Sequence, residues 1–125
     1  MTVDPYNERV RALFDAPQHA GVLDGASTVN VSDQGLRVQF CADIGDGSIT
    51  AMRFRAWGCP HVIAVAESVC AGFEGRVASD LEEFVAADLM QSLAVPAEKS
   101  GRIIVIEDAV RSLGALLRGN PESSD

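Results

Sequence analysis

The sequence predicts an α+β domain, a three-stranded antiparallel meander packed against helices. Three observations carry this. Apolar and polar residues alternate in Leu36–Ala42 and again in Ser48–Trp57. The pattern then changes abruptly, after Gly58-Cys59-Pro60, to an almost wholly apolar helix. Strands come first and helices afterwards, the order of an α+β fold.

Asp4 and Pro5 form a helix start: a carboxylate able to accept a backbone N–H, then a proline preset for the first helical position. Val10, Leu13 and Phe14 follow at helical spacing, and Pro17 ends the segment. Gln18–Ser27, with Gly21 and Gly25, reads as a loop into strands Thr28–Ser32, Leu36–Ala42 and Ser48–Trp57. In the second strand Leu36, Val38 and Phe40 alternate with Arg37 and Gln39; in the third, Met52 and Phe54 alternate with Arg53 and Arg55. Each strand therefore buries one face. Asp33-Gln34-Gly35 and Ile44-Gly45-Asp46-Gly47 supply the turns.

The helix His61–Phe73, with Val62, Ile63, Val65, Ala66 and Val69, must lie against the sheet, and Gly75 ends it. Ser79-Asp80-Leu81-Glu82 has capping-box spacing for a further helix. Ala86–Ala94 forms a short helical piece before Pro96. The last helix, from about Ser100 to Arg118, presents Ile103, Ile106, Val110, Leu113 and Leu117 on one side, and Gly119-Asn120-Pro121 stops it. One domain over 1–119 with an acidic tail over 120–125 is the expected organisation.

With 125 residues, 47% hydrophobic and 22% charged, the chain can bury a substantial core. Its 18 acidic against 10 basic residues give a net charge of −8, which repels a phosphate backbone and an anionic membrane surface. Neither nucleic acid nor membrane is an expected partner. The segment Met1–Tyr6 lacks a basic start and an apolar run, so no signal peptide is expected, and no apolar run approaches the roughly 20 residues that span a bilayer. The 3 cysteines, at 41, 59 and 70, form no CxxC pair and their odd count argues against a secreted disulfide framework. A reducing, cytoplasmic setting is expected.

Several landmarks occur in a telling order: Tyr6-Asn7 through Leu13-Phe14, Pro17, Gly21 and Leu23-Asp24; a third strand ending Arg53-Phe54-Arg55-Ala56-Trp57-Gly58-Cys59; then Glu107-Asp108-Ala109-Val110. The order resembles the IscU/NifU N-terminal family, scaffolds on which iron–sulfur clusters are built. The strand ending is similar to that family's A-R-F-K-x-F-G-C, and the closing run to its E-D-A-I. The resemblance implies a scaffold rather than an enzyme. Its cargo would be iron or a [2Fe–2S] cluster, with zinc as a surrogate, and its partners a cysteine desulfurase and other assembly proteins.

Scaffolds of that family hold the cluster with three cysteines, assisted by an aspartate and a histidine. The middle cysteine carries over onto Cys59. The turn that bears the family's first cysteine and aspartate is here Ser32-Asp33-Gln34-Gly35, without a cysteine. The late His-Cys pair is here Gly101-Arg102. The family's chaperone motif L-P-P-V-K becomes Val95-Pro96-Ala97-Glu98-Lys99, which has lost a proline and gained a carboxylate.

Cys59 precedes Pro60 and a long helix, so it sits at or beside an N-cap, where unpaired N–H groups and the helix dipole favour the thiolate. The structural alternative is that a tight corner needs a small residue. A reduced site would use Asp33, Cys59 and His61; Asp33 is otherwise a turn residue, and His61 a surface or cap histidine. Cys41-Ala42-Asp43 mimics the family's C-G-D and is the alternative counterpart of the first ligand motif, against a reading of Cys41 as a strand cysteine. Cys70 lies about 16 Å along the helix from Cys59 and reads as buried filler. His19 reads as a solvated loop residue. Two rival functions remain: a pseudo-scaffold that binds a desulfurase or other assembly protein without holding a cluster, and a single-thiol persulfide carrier.

Overall fold

The computed structural model describes residues 8–33 and 35–119. The Asp4-Pro5 helix start, Gln34, the Asn120-Pro121 stop and the acidic tail lie outside the described residues. The first helix, α1, covers Glu8–Asp15. Three strands follow, β1 (Ser27–Asp33), β2 (Leu36–Gly45) and β3 (Ser48–Trp57), in the spatial order β1-β2-β3 and antiparallel throughout. Pairing of β2 with β3 runs past Ala42 to Gly45↔Ser48, with a bulge between Asp43 and Ile44, so β2 is longer than the alternation alone implies.

The register sorts side chains into cross-sheet rows. Val31–Val38–Ala56 and Val29–Phe40–Phe54 lie on one face; Ser32–Arg37–Trp57 and Asn30–Gln39–Arg55 lie on the other. Helices α2 (Pro60–Phe73) and α4 (Ser100–Gly119) pack on the apolar face, α2 against β3 and α4 against β1 and β2. Phe40, Met52, Phe54, Val62, Ile103 and Ile106 close the core between them. The other face is polar and meets solvent, as antiparallel sheets allow.

Between α2 and α4 run a 3₁₀ turn over Ala78–Glu83, α3 (Ala87–Ser92) and a second 3₁₀ turn over Ala97–Lys99. The expected Ser79 capping box does not form: Val77 occupies the N-cap and the segment stays 3₁₀. The tight course lets α4 lie directly on it, with Gly114 against Leu81 and Glu82. After α3, Val95 N–H bonds the Met90 carbonyl (2.9 Å) and Ala94 N–H the Gln91 carbonyl (3.1 Å), with Ala94 left-handed at φ 52°. This is a Schellman closure. It redirects the chain into Pro96 and delivers Lys99 to the start of α4. Glu107, read from sequence only as part of a motif, accepts the Ala86 N–H (2.8 Å) and so fixes the start of α3. No described helix is long and apolar enough to cross a membrane.

Candidate functional site

Cys59 stands where β3 turns into α2. Gly58 makes the corner possible, because a Cβ there would meet the Val62 side chain at 3.2–3.3 Å. Pro60 occupies the first helical turn, and the first helical bond runs from Ile63 N–H to the Cys59 carbonyl (3.2 Å). Cys59 is the N-cap, with extended backbone (φ −82°, ψ 169°) and no side-chain capping hydrogen bond. Burial alone would raise its thiol pKa. The N–H groups of Val62 and His61 and the positive charge of Lys99 outweigh that and lower it. The favourable field at a helix N-terminus is the expected physics; the lysine is an addition that only the structure reveals.

His61 is 1% exposed, so the surface-histidine reading is corrected: the first turn of α2 faces inward here. Its Nδ1 lies 3.0 Å from Lys99 Nζ. Lysine can only donate, so Nδ1 accepts and the ring proton resides on Nε2. Burial first, and the Lys99 charge second, push the His61 pKa down. His61 is therefore a neutral imidazole whose Nδ1 lone pair is engaged by Lys99. Any metal ion at Nδ1 would have to compete with Lys99 for that lone pair.

Asp33 ends β1, at the same end of the sheet as Cys59, but on the far strand of three. Two strand spacings, about 10 Å, separate it from β3. Among the described residues no group of three or more His, Cys, Asp and Glu side chains converges to hold a metal ion, so the trio Asp33, Cys59 and His61 is not assembled. Cys41 and Asp43 do not join Cys59 either. Cys41 pairs with Arg53 in mid-sheet, about 13 Å along the strand from the Arg37↔Trp57 end. Its thiol is buried and points at the Arg53 carbonyl (3.8 Å), whereas Asp43 is exposed beside the bulge. The turn between the first and second strands is Asp33–Leu36, so Cys41 is a strand cysteine. Cys70 is buried in α2, and desolvation holds its thiol well above the usual range. A [2Fe–2S] cluster or a structural zinc takes about four ligands; the described residues of one chain bring one accessible cysteine thiol.

His19 is no solvated loop residue. Its backbone N–H bonds Glu67 Oε1 (2.7 Å), its Nδ1 meets Glu67 Oε2 (2.6 Å) and its Nε2 meets Glu74 Oε1 (3.0 Å). Glu74 Oε2 in turn accepts from Met52 N–H (2.8 Å) and Arg53 (2.6 Å). This network ties the loop before β1 to α2 and to the β3 edge. The signal in the sequence was Glu67, a lone carboxylate within an apolar helix; its partner was not readable.

Iodoacetamide near neutral pH is expected to alkylate Cys59 in the folded protein and to spare buried Cys41 and Cys70. Lys99→Met should slow that alkylation several-fold near neutrality, with the rates converging in alkali, where the thiol ionises unaided. An unchanged neutral rate would remove Lys99 from the site.

A model of the NifU-like N-terminal domain matches residues 5–115. Among curated proteins, the chain is similar to the iron–sulfur cluster assembly scaffold protein IscU of Rickettsia prowazekii, 25% identical over 114 residues, spanning 86% of this chain and 87% of that one. It is similarly related to the IscU scaffold of Escherichia coli K12, at 24% over 115 residues, covering 86% and 89%. In three dimensions it superposes on the crystal structure of a nitrogen-fixing NifU-like protein, N-terminal part, from Brucella abortus. The TM-score is 0.72 at 15% identity, over 91% of this chain and 94% of that one. That likeness is one of fold.

Proposed function

The chain belongs to the NifU-like N-terminal domain family, and on that premise we propose that it is an iron–sulfur cluster assembly scaffold whose attachment point for cargo is the Cys59 thiolate. The observation that carries this is the placing of the thiol at the N-cap of α2 beside Lys99, where the helix N–H groups and the lysine charge favour the nucleophilic, metal-binding thiolate. Iron or a [2Fe–2S] unit bound there draws its remaining ligands from outside this set of side chains: a second copy, a donor protein or small thiols. Among the described residues His61 is the one neighbouring side chain that could add a ligand, and only in competition with Lys99 for Nδ1. Assembly proteins, a cysteine desulfurase among them, are the partners this reading requires.

Anaerobic incubation with ferrous iron and sulfide tests it. Iron retention with visible absorption is expected, and Cys59→Ser should lose both. A parent protein that holds neither iron nor colour contradicts the scaffold reading and favours a pseudo-scaffold. Colour that survives Cys59→Ser would place the site elsewhere.

A second reading is favoured by the lone accessible thiol beside a lysine and by Arg102 standing where the family's third cysteine falls. In it, the Cys59 thiolate attacks the outer sulfur of a desulfurase persulfide. The S–S bond there breaks, the desulfurase thiolate leaves, and Cys59 keeps the transferred sulfur with its proton. Mass spectrometry after incubation with desulfurase and cysteine should then show one added sulfur on Cys59; an unmodified Cys59 rejects this transfer.

A further inference from the structure

At the Cys59 end of the open, mainly polar face of the sheet, Trp57, the chain's 1 tryptophan, is 48% exposed. Two guanidinium groups lie against its ring: Arg37, directly across the strand pair, with Cζ 5.4 Å from the ring centroid, and Arg55, on the same strand and face, at 5.2 Å. Four other arginines are paired with carboxylates. Arg53 pairs with Glu74, Arg76 with Asp80, Arg111 with Glu107 and Arg118 with Glu82. Among the described residues Arg37 and Arg55 form no ion pair. Beside them opens a shallow cavity of about 360 Å³, whose wall includes Asn30, Ser32 and Gln39.

Stacking on an indole restrains a guanidinium while leaving its N–H edge free, and that edge matches a carboxylate with two parallel hydrogen bonds. Tryptophan and arginine are also the residues that most often dominate binding at protein interfaces. We infer that the Arg37–Trp57–Arg55 face is a docking surface for an acidic segment of a partner protein. Trp57 is two residues from Cys59, so a partner seated there stands beside the thiolate. The inference deepens the scaffold reading by naming the chemistry of the partner. A nucleic acid is a poor fit: its charges recur about every 1.7 Å and would extend over the rest of a chain whose net charge is −8. A short carboxylate segment feels chiefly the charges within about 10 Å.

Trp57 makes the test direct, because all tryptophan fluorescence arises in the proposed site. Hexaglutamate, titrated into the full chain at low salt, should change that fluorescence saturably, weaken as salt is added, and have no counterpart with hexaglutamine. Arg37→Glu with Arg55→Glu should weaken hexaglutamate binding by about tenfold or more, and each single Arg→Gln change by less, with circular dichroism and Tm retained. Cys59→Ser should bind the peptide as the parent does, and the double arginine variant should still load iron. Loss of iron loading with peptide binding intact would count against the scaffold function alone. The docking inference fails if hexaglutamine acts like hexaglutamate, or if charge reversal leaves the affinity unchanged. It also fails if oligothymidylate binds more tightly at equal salt, or if charge reversal converts a dimer to a monomer in sedimentation, which would make a second copy the occupant.

Discussion

Replacing Glu67 by alanine is expected to destabilise the folded chain by about 3 kcal/mol, a fall in Tm of about 10 °C or more. Glu67 is 3% exposed and holds both the backbone N–H and the Nδ1 of His19. Its removal leaves a backbone donor and a ring nitrogen facing the core without an acceptor, beside Glu74, whose own pairing with His19 stays. Glu67→Gln keeps an acceptor but not the charge and should fall between. Chemical denaturation giving a loss below about 1 kcal/mol for the alanine variant would make the network peripheral.

The same network gives the pH dependence a sign. Burial alone would lower the His19 pKa, but hydrogen bonds to Glu67 and Glu74, with their charges, raise it. A raised folded value means the folded state binds the proton more tightly. The contribution is thus complete below the unfolded value of about 6.5 and is lost as pH climbs through the folded one. For Glu74, burial would raise the pKa, but Met52 N–H, Arg53 and His19 bring it down. Its contribution is present above about 4.3 and is lost as pH falls through the lowered value. Stability from this cluster should peak between those limits. His19→Asn should flatten the alkaline side of the Tm profile; an unaltered slope there would contradict the assignment.

Gly114→Ala is expected to destabilise by about 2 kcal/mol or more, although alanine is the better helix former by about 1 kcal/mol. A Cβ at 114 would lie 2.8 Å from Glu82 Cγ, 2.9 Å from the Glu82 backbone nitrogen and 2.9 Å from Leu81 Cβ. The Glu82 side chain can swing aside, but the backbone nitrogen and Leu81, which is fully buried, cannot. The helix must therefore lift from the 3₁₀ turn, loosening Leu113 and Leu117. Gly72 on α2 is the internal control: nothing lies within 4 Å of its Cβ position. Gly72→Ala should accordingly stabilise by up to about 1 kcal/mol. If thermal unfolding shows both variants moving Tm in the same direction, close packing of α4 on the 3₁₀ turn is not what selects glycine at 114.

Strand alternation, the apolar helix after Pro60 and the inward stripe of α4 were legible because each depends on periods of two or 3.6 residues within one segment. The N-cap position of Cys59 was legible for the same reason: a strand, a glycine, a cysteine and a proline in succession describe a strand-to-helix corner locally. The Ser79 capping box illustrates the limit. Its residues have the right spacing, yet the chain closes as 3₁₀ from Val77, because the contact with α4 sets the course of that segment.

By itself, then, the sequence determined the order of elements, the faces they bury and the place of one thiol at a helix start. Tertiary structure alone decided what surrounds that thiol. It brought Lys99 to His61 and Cys59, set Asp33 across the sheet and kept Cys41 in mid-strand. It also closed His19 onto Glu67 and Glu74 and left Arg37 and Arg55 stacked on an uncovered Trp57. The physical reason is range. Backbone periodicity and capping act within a turn or a strand pair, whereas charge pairing and close approach join residues far apart in the chain, and those pairs exist only once helices and sheet have packed.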